Sequence, residues 1–431
     1  MGLALPIIGG MISQNVLNLV DTAMVGSLGD AALAGVGIGS FVNFMAVAFI
    51  IGMAAGVQAM AARRKGEGRL TETAVPLNGG LVLAATLAIP ASIVLFLLVP
   101  HFFPLLENDP QVVQLGGDYL RCRLVAMTAV GMNFAFRGYW NAVDRSRLYL
   151  RTLVVMHVVN IVLNYLLIFG KFGLPELGVV GAGIGTAAST YVGLAYYIYL
   201  GLRHARENGF LRGLPERTTM RSMLRLSVPA GVQQFLFATG MTVFFTMVGK
   251  LGTKELAAAN VLVNLMLVAI LPAMGFGLAA ATLVGQALGR GDVVDARRWG
   301  FDVVQLSMGV LLLIAIPGFI WPELLLAPFV HNPETLALAT TPLRLVAGSV
   351  VFESAGMVLL NALLGAGDTR RVMVVAVGVQ WFVMLPLVYL VGPVWGMGLS
   401  AIFAVQLGSR ILQAGVFILM WRKDGWTQIK V

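Results

Sequence analysis

A few polar and ionisable residues sit inside long apolar stretches, and their spacing is the first indication of chemistry. An ionisable side chain at the centre of a lipid-spanning helix costs about 2.5–3.5 kcal/mol on insertion scales, so each one needs a partner or a purpose. Asp21 lies in QNVLNLVDTAMVG, where Gln14, Asn18 and Asp21 stand at i, i+4 and i+7 and share one helix face. That face can line a hydrated cavity; the plainer reading is an interfacial Asp21. Asn160 and Asn164 repeat the i, i+4 spacing with His157 one turn before, and Thr186 and Thr190 repeat it again. Amide and hydroxyl oxygens suit a hard monovalent cation or a proton-linked water cluster. Their bland alternative is hydrogen bonding between helices, worth about 0.6–2 kcal/mol each. Glu353 lies in VAGSVVFESAGMVLL with Ser349 one turn before it. Its bland alternative is an ion pair with Arg121 or Arg137. Arg137, Arg344 and Arg410 read as helix-end residues, snorkelling or paired.

The elements that must hold these residues follow from composition. The chain has 431 residues, 58% hydrophobic and 11% charged, with mean hydropathy +0.87. A soluble domain carries roughly 25% charged residues, so a soluble enzyme, a disordered chain and a coiled coil are excluded. The apolar runs are continuous rather than alternating, which excludes a transmembrane barrel. A spanning helix needs about 20 apolar residues, and the sequence predicts twelve of them: 3–27, 31–61, 76–104, 112–141, 148–170, 177–204, 222–250, 254–288, 293–325, 335–365, 370–392 and 395–422. Pro272 and Pro386 fall inside spans and predict kinks. The first run starts at Gly2 without a basic n-region or cleavage site and reads as a retained span. The single cysteine, Cys122, rules out an intramolecular disulfide.

The basic residues are sorted by loop. Of 29 Lys and Arg, 21 fall on one side of the predicted spans and three, Lys171, Lys250 and Lys254, on the other. The positive-inside rule then places both termini in the cytoplasm of a multi-pass inner-membrane protein. The same distribution argues against nucleic acid as a partner for a chain of formal charge +9. Shifting the sequence by 223 residues aligns MVGSLGDAALA (24–34) with MVGKLGTKELA (247–257), seven of eleven positions being identical. The same shift pairs Gly52 with Gly275 and the GEG of 66–68 with the GRG of 289–291. One residue of slip aligns AVDRSR (142–147) with AGDTRR (366–371). The predicted fold is an all-α polytopic membrane protein of twelve helices in two six-helix bundles, related by a pseudo-two-fold axis along the membrane normal. The domains predicted are 1–204, a cytoplasmic linker at 205–221, and 222–431. Asp21 corresponds to Phe244 and Glu353 to Val130 in the other repeat, so neither acid is required by the shared scaffold.

With P-x7-Q-x6-DTAMVGSLGDAALAGVG at 6–37, NIVLNYLLIFGKFGLPELGVVGAG at 160–183 and GAGDTRR at 365–371, the chain resembles the multidrug and toxic compound extrusion (MATE) transporters, and the second segment is similar to the NorM branch. The resemblance implies export of small amphipathic, often cationic compounds by alternating access, in antiport with H+ or Na+, by a lipid-embedded monomer without a cofactor. It implies that Asp21 is the N-lobe protonation or ion-binding carboxylate, with Gln14 and Asn18 on its face and Asn160, Asn164 and Thr186 around the same cavity. It implies a functional acid in the C-lobe near Glu353 and Ser349, with Na+ at Asp21 or Glu353 as the only metal to consider. Relatives with a second acid at the position of Asn164, or one near Phe237, depart from this chain, which has neither. The resemblance also implies a short segment ahead of the first helix.

Other classes fit less well. A membrane enzyme would need clustered acids or histidines, and the four His stand apart at 101, 157, 204 and 331. No Walker A loop is present. A channel would want one continuous polar path. A lipid or lipid-linked precursor flippase of related architecture would want a strongly cationic cleft.

Overall fold

The computed structural model describes residues 2–330 and 332–429; His331 and Lys430, counted above, lie outside them. Among the described residues there is no β-strand. The helices run in the order α1 (Ala4–Gly26), α2 (Asp30–Ile51), α3 (Met53–Gly66), α4 (Val75–Phe102), α5 (Pro110–Val125), α6 (Met127–Ala142), α7 (Ser146–Phe169), α8 (Gly178–His204), α9 (Arg217–Gly249), α10 (Thr253–Gly289), α11 (Val293–Ile320), α12 (Pro322–Leu326), α13 (Pro333–Ala366), α14 (Thr369–Gly378), α15 (Leu385–Tyr389) and α16 (Gly398–Arg422). Ten helical stretches are long and apolar enough to cross a membrane by themselves, among the described residues. The predicted spans at 3–27 and 112–141 correspond to α1 and to the α5–α6 pair. The second and fourth spans are divided, at Gly52 and at Ala126.

Local chemistry marks the helix boundaries. Asp109 caps α5 by accepting from Gln111 N at 2.8 Å, with Pro110 at the first helical position. Asn332 caps α13 in the same way, accepting from Glu334 N at 2.9 Å ahead of Pro333. The repeat is visible in the backbone: Gly68 and Gly291 both adopt φ +76°, a left-handed conformation that glycine reaches without strain. At the turns where the sequences slip by one residue, the left-handed positions Asp144 and Gly367 keep the 223-residue offset.

The chain forms two compact units, one comprising the chain to Lys65 and from Arg69 to Gly231, the other Gly66–Gly68 and the chain from Val232 onward. The boundary falls inside α9. In the first unit, residues 205–213, expected within a linker, are fastened to α4. Asn78 Nδ2 donates to Gly209 O and Gly213 O at 2.9 and 3.1 Å, Leu211 N donates to Asn78 Oδ1 at 3.0 Å, and Phe210 is fully buried edge-on to Phe136.

The second unit has a core around Phe244, Leu262, Met266, Leu311, Val350, Leu385 and Phe403. Pro272 lies within an unbroken α10, whereas Pro386 opens a five-residue α-helical piece between π-helical stretches at Val379–Met384 and Leu390–Val394. Large apolar residues such as Leu97, Leu313 and Phe382 are 63%, 68% and 80% exposed, which is the surface a lipid-embedded chain presents.

Candidate functional site

In the first unit, α1, α7 and α8 bring the predicted polar residues together. The Asn164 side chain is fully buried because Gly185 on α8 faces it; any Cβ there would overlap Asn164 Oδ1. Asn164 Nδ2 donates to Asp21 Oδ1 at 2.9 Å and to Asn160 Oδ1 at 3.2 Å. Asn160 Nδ2 donates in turn to Thr186 Oγ1 at 3.2 Å and Ser189 Oγ at 3.3 Å. Both hydroxyls spend their protons on backbone carbonyls, Thr186 on Ala182 O and Ser189 on Thr186 O, each at 2.9 Å. Within this group Asn164 Nδ2 is the donor that reaches Asp21, which accepts from it, whereas Asn160 Nδ2 donates away from Asp21, towards α8. One acceptor is left over: Asn164 Oδ1 is buried and has no hydrogen-bond partner.

Gln14 and Asn18 share the face of Asp21, but neither bonds to it. Both are exposed; Gln14 Nε2 donates to Asn18 Oδ1 at 3.4 Å, and Gln14 Oε1 lies 3.3 Å from His157 Nε2. Asp21 itself is half-buried. Thr190 donates to Thr186 O at 2.8 Å and accepts no side chain; its own carbonyl receives Asn133 Nδ2 at 3.1 Å. Among the described residues no group of three His, Cys, Asp or Glu stands close enough to hold a metal ion.

In the second unit Glu353 is buried on α13, and its partner differs from both expected arginines. Arg410 Nη2 on α16 lies 3.4 Å from Glu353 Oε1. Arg121 instead lies 3.9 Å from Asp118, and Arg137 stacks 4.2 Å over the Phe134 ring and hydrogen-bonds Tyr149. Arg410 is also not a helix-end residue: it stands mid-way along α16. Ser349 donates to Val346 O at 2.8 Å and makes no bond to Glu353.

The model of the family described as MatE matches residues 6–166 and 229–390, two segments whose starts keep the 223-residue repeat. The chain belongs to the MatE family. As a member of it the chain is a transporter and not an enzyme. A probable multidrug resistance protein NorM of Pseudomonas aeruginosa is 30% identical over 93% of this chain and 84% of its own length. A multidrug resistance protein NorM of Burkholderia vietnamiensis is 31% identical over 97% of this chain and 92% of its own. Among solved structures, a MATE family transporter of the MOP superfamily described as outward-facing superposes with TM-score 0.92 at 20% identity, covering 100% of this chain and 96% of that one. A MOP superfamily transporter from Pyrococcus furiosus superposes with TM-score 0.89 over 98% of this chain and 94% of that one. At such identities these two speak for the fold alone.

In this MatE chain the hydrogen-bonded group contains Asp21, Asn160, Asn164 and Thr186, which sequence reasoning had singled out. That reasoning did not single out Ser189, which joins the same group one turn from Thr186. It also missed Arg410 as the neighbour of Glu353, which no local spacing reveals.

Proposed function

We propose that this chain exports small amphipathic, often cationic compounds by alternating access, driven by inward movement of a monovalent cation, H+ before Na+. The observation that carries this reading is the pairing of Asp21 with one face of the Asn164 carboxamide. The ionised carboxylate uses Asn164 Nδ2 and leaves Asn164 Oδ1 unsatisfied, at a cost of about 1–3 kcal/mol for a buried acceptor. A proton on Asp21 converts the carboxylate into an acid that can donate. Acid and carboxamide are then complementary at two points, N–H to C=O and O–H to C=O. Protonation thus removes a charge from an apolar span and satisfies the orphaned oxygen together. Deprotonation does the reverse, so the proton biases α1, α7 and α8 between two packings. A sodium ion bridging Asp21 and Asn164 Oδ1 is the alternative occupant.

Coupling requires that the proton and the cargo favour opposite states. The 21-to-3 split of basic residues supports cytoplasmic termini and hence export from the cytoplasm of an inner-membrane protein. The multidrug names of the NorM relatives support the cargo class. The test is ethidium efflux from proteoliposomes with a pH gradient or a Na+ gradient imposed separately. Efflux under the pH gradient alone is expected. Efflux that needs Na+ would replace the proton, and none under either gradient would refute antiport.

A further inference from the structure

The Glu353–Arg410 pair is poorly satisfied for a buried ion pair. The two side chains are 6% and 14% exposed, yet they meet through a single contact of 3.4 Å. A guanidinium can make two parallel bonds of about 2.7–2.9 Å to a carboxylate. Here Arg410 Nη1 is turned to Gln413 Oε1 at 3.2 Å, while Arg410 Nε and Glu353 Oε2 are both buried without a hydrogen-bond partner. Gln406 stands one turn before Arg410 on α16 and is 4% exposed; its Nε2 contacts Met266 Sδ at 3.3 Å, and its Oε1 has no partner. Two buried oxygen acceptors, one of them anionic, are thus left over beside a loosely held cation. Both charges lie well inside their helices, many residues from either end.

A buried ion pair repays its desolvation only with excellent geometry, and losing one partner costs more than losing both. A pair with one long contact and two unsatisfied atoms, beside the unsatisfied Gln406 Oε1, fits a carboxylate that exchanges partners. We infer that Arg410 is the tethered occupant of a cation subsite on Glu353. Its guanidinium neutralises Glu353 when no cargo is bound. An organic cation carrying N–H donors, such as an aryl or alkyl ammonium, displaces it and takes Glu353 Oε2 and Gln406 Oε1 as acceptors. Replacing one cation by another keeps the site balanced at every step. It also holds affinity down, because the cargo competes with a side chain that never leaves. This rests on the export reading above and adds the chemical class that the second unit selects.

The test is equilibrium binding of ethidium, a cation with aryl amines, to purified full-length protein in nanodiscs at pH 8. Arg410→Gln should bind about tenfold more tightly than wild type, the gain for a competent fraction of about one tenth. Arg410→Lys keeps a tethered cation and should bind as weakly as wild type. Glu353→Gln/Arg410→Gln removes both charges together and should lose ethidium affinity while remaining monodisperse. A structural role for the pair would lower thermal stability in Arg410→Gln without tightening binding, and that result would overturn the inference. Wild-type affinity in the double variant would overturn it as well, even if Arg410→Gln fails to fold. Binding needs no gradient, so failure here is separable from failure of antiport, which shows only in wild-type efflux.

Discussion

Asp21 has no counterpart in the second repeat, and the structure shows what stands there instead. Phe244 is 1% exposed and packs edge-on against Phe403 at 6.3 Å, part of an apolar core. The scaffold is therefore content with an aromatic ring at this position, and the acid is specific to the first unit. Asn164 is the residue through which Asp21 meets the rest of the polar chain. Asn164→Leu keeps the volume and removes the donor; a hydrogen bond to a charged group is worth about 1.5–3 kcal/mol, so gradient-driven ethidium efflux should fall about tenfold or more. Unchanged efflux at equal membrane abundance would remove Asn164 from the coupling site. At this scale the sequence was informative wherever partners share a helix. The i, i+4 spacing of Asn160 with Asn164 is local and directly legible. The Glu353–Arg410 contact depends on how α13 and α16 are rotated against each other, which no spacing within either helix encodes.

The approximate limits of the apolar spans were readable because apolar length is a composition property. Departures from regular helix were not. The division at Gly52, the break at Ala126 and the two π-helical stretches around Pro386 depend on which backbone groups find partners after packing. The packing of residues 205–213 was hidden for a similar reason: the stretch reads as polar, yet Asn78 from a distant helix satisfies its backbone. Close helix approach is likewise a tertiary property. Gly365 on α13 lies against Ala281 of α10 so tightly that a Cβ would overlap its backbone carbonyl. Gly365→Ala should destabilise by about 1–3 kcal/mol through overpacking. Gly408→Ala, where a Cβ would meet nothing within 4 Å, should be neutral or slightly stabilising. Thermal unfolding in detergent distinguishes them, and equal melting temperatures would mean that the α10–α13 contact has room for a methyl group.

At the scale of the whole chain, orientation sets the direction of transport. In the proposed orientation the 205–221 segment faces the cytoplasm and Ser27 the opposite side. Arg212 and Ser27 are both exposed, so each can report its side. With Cys122 replaced by Ser, an impermeant thiol reagent on intact cells should label Ser27→Cys and spare Arg212→Cys. The opposite pattern would invert the direction of transport.

In the proposed mechanism the charge state of Asp21 links the ion gradient to movement of cargo. Asp21→Asn fixes the residue in a neutral form close in shape to the protonated acid. Ethidium efflux by this variant, in proteoliposomes with an imposed pH gradient and protein content matched to wild type, is the most direct test. Gradient-driven efflux should be abolished while ethidium binding to the purified variant persists. Efflux at the wild-type rate would contradict the account and leave the coupling residue elsewhere in the chain.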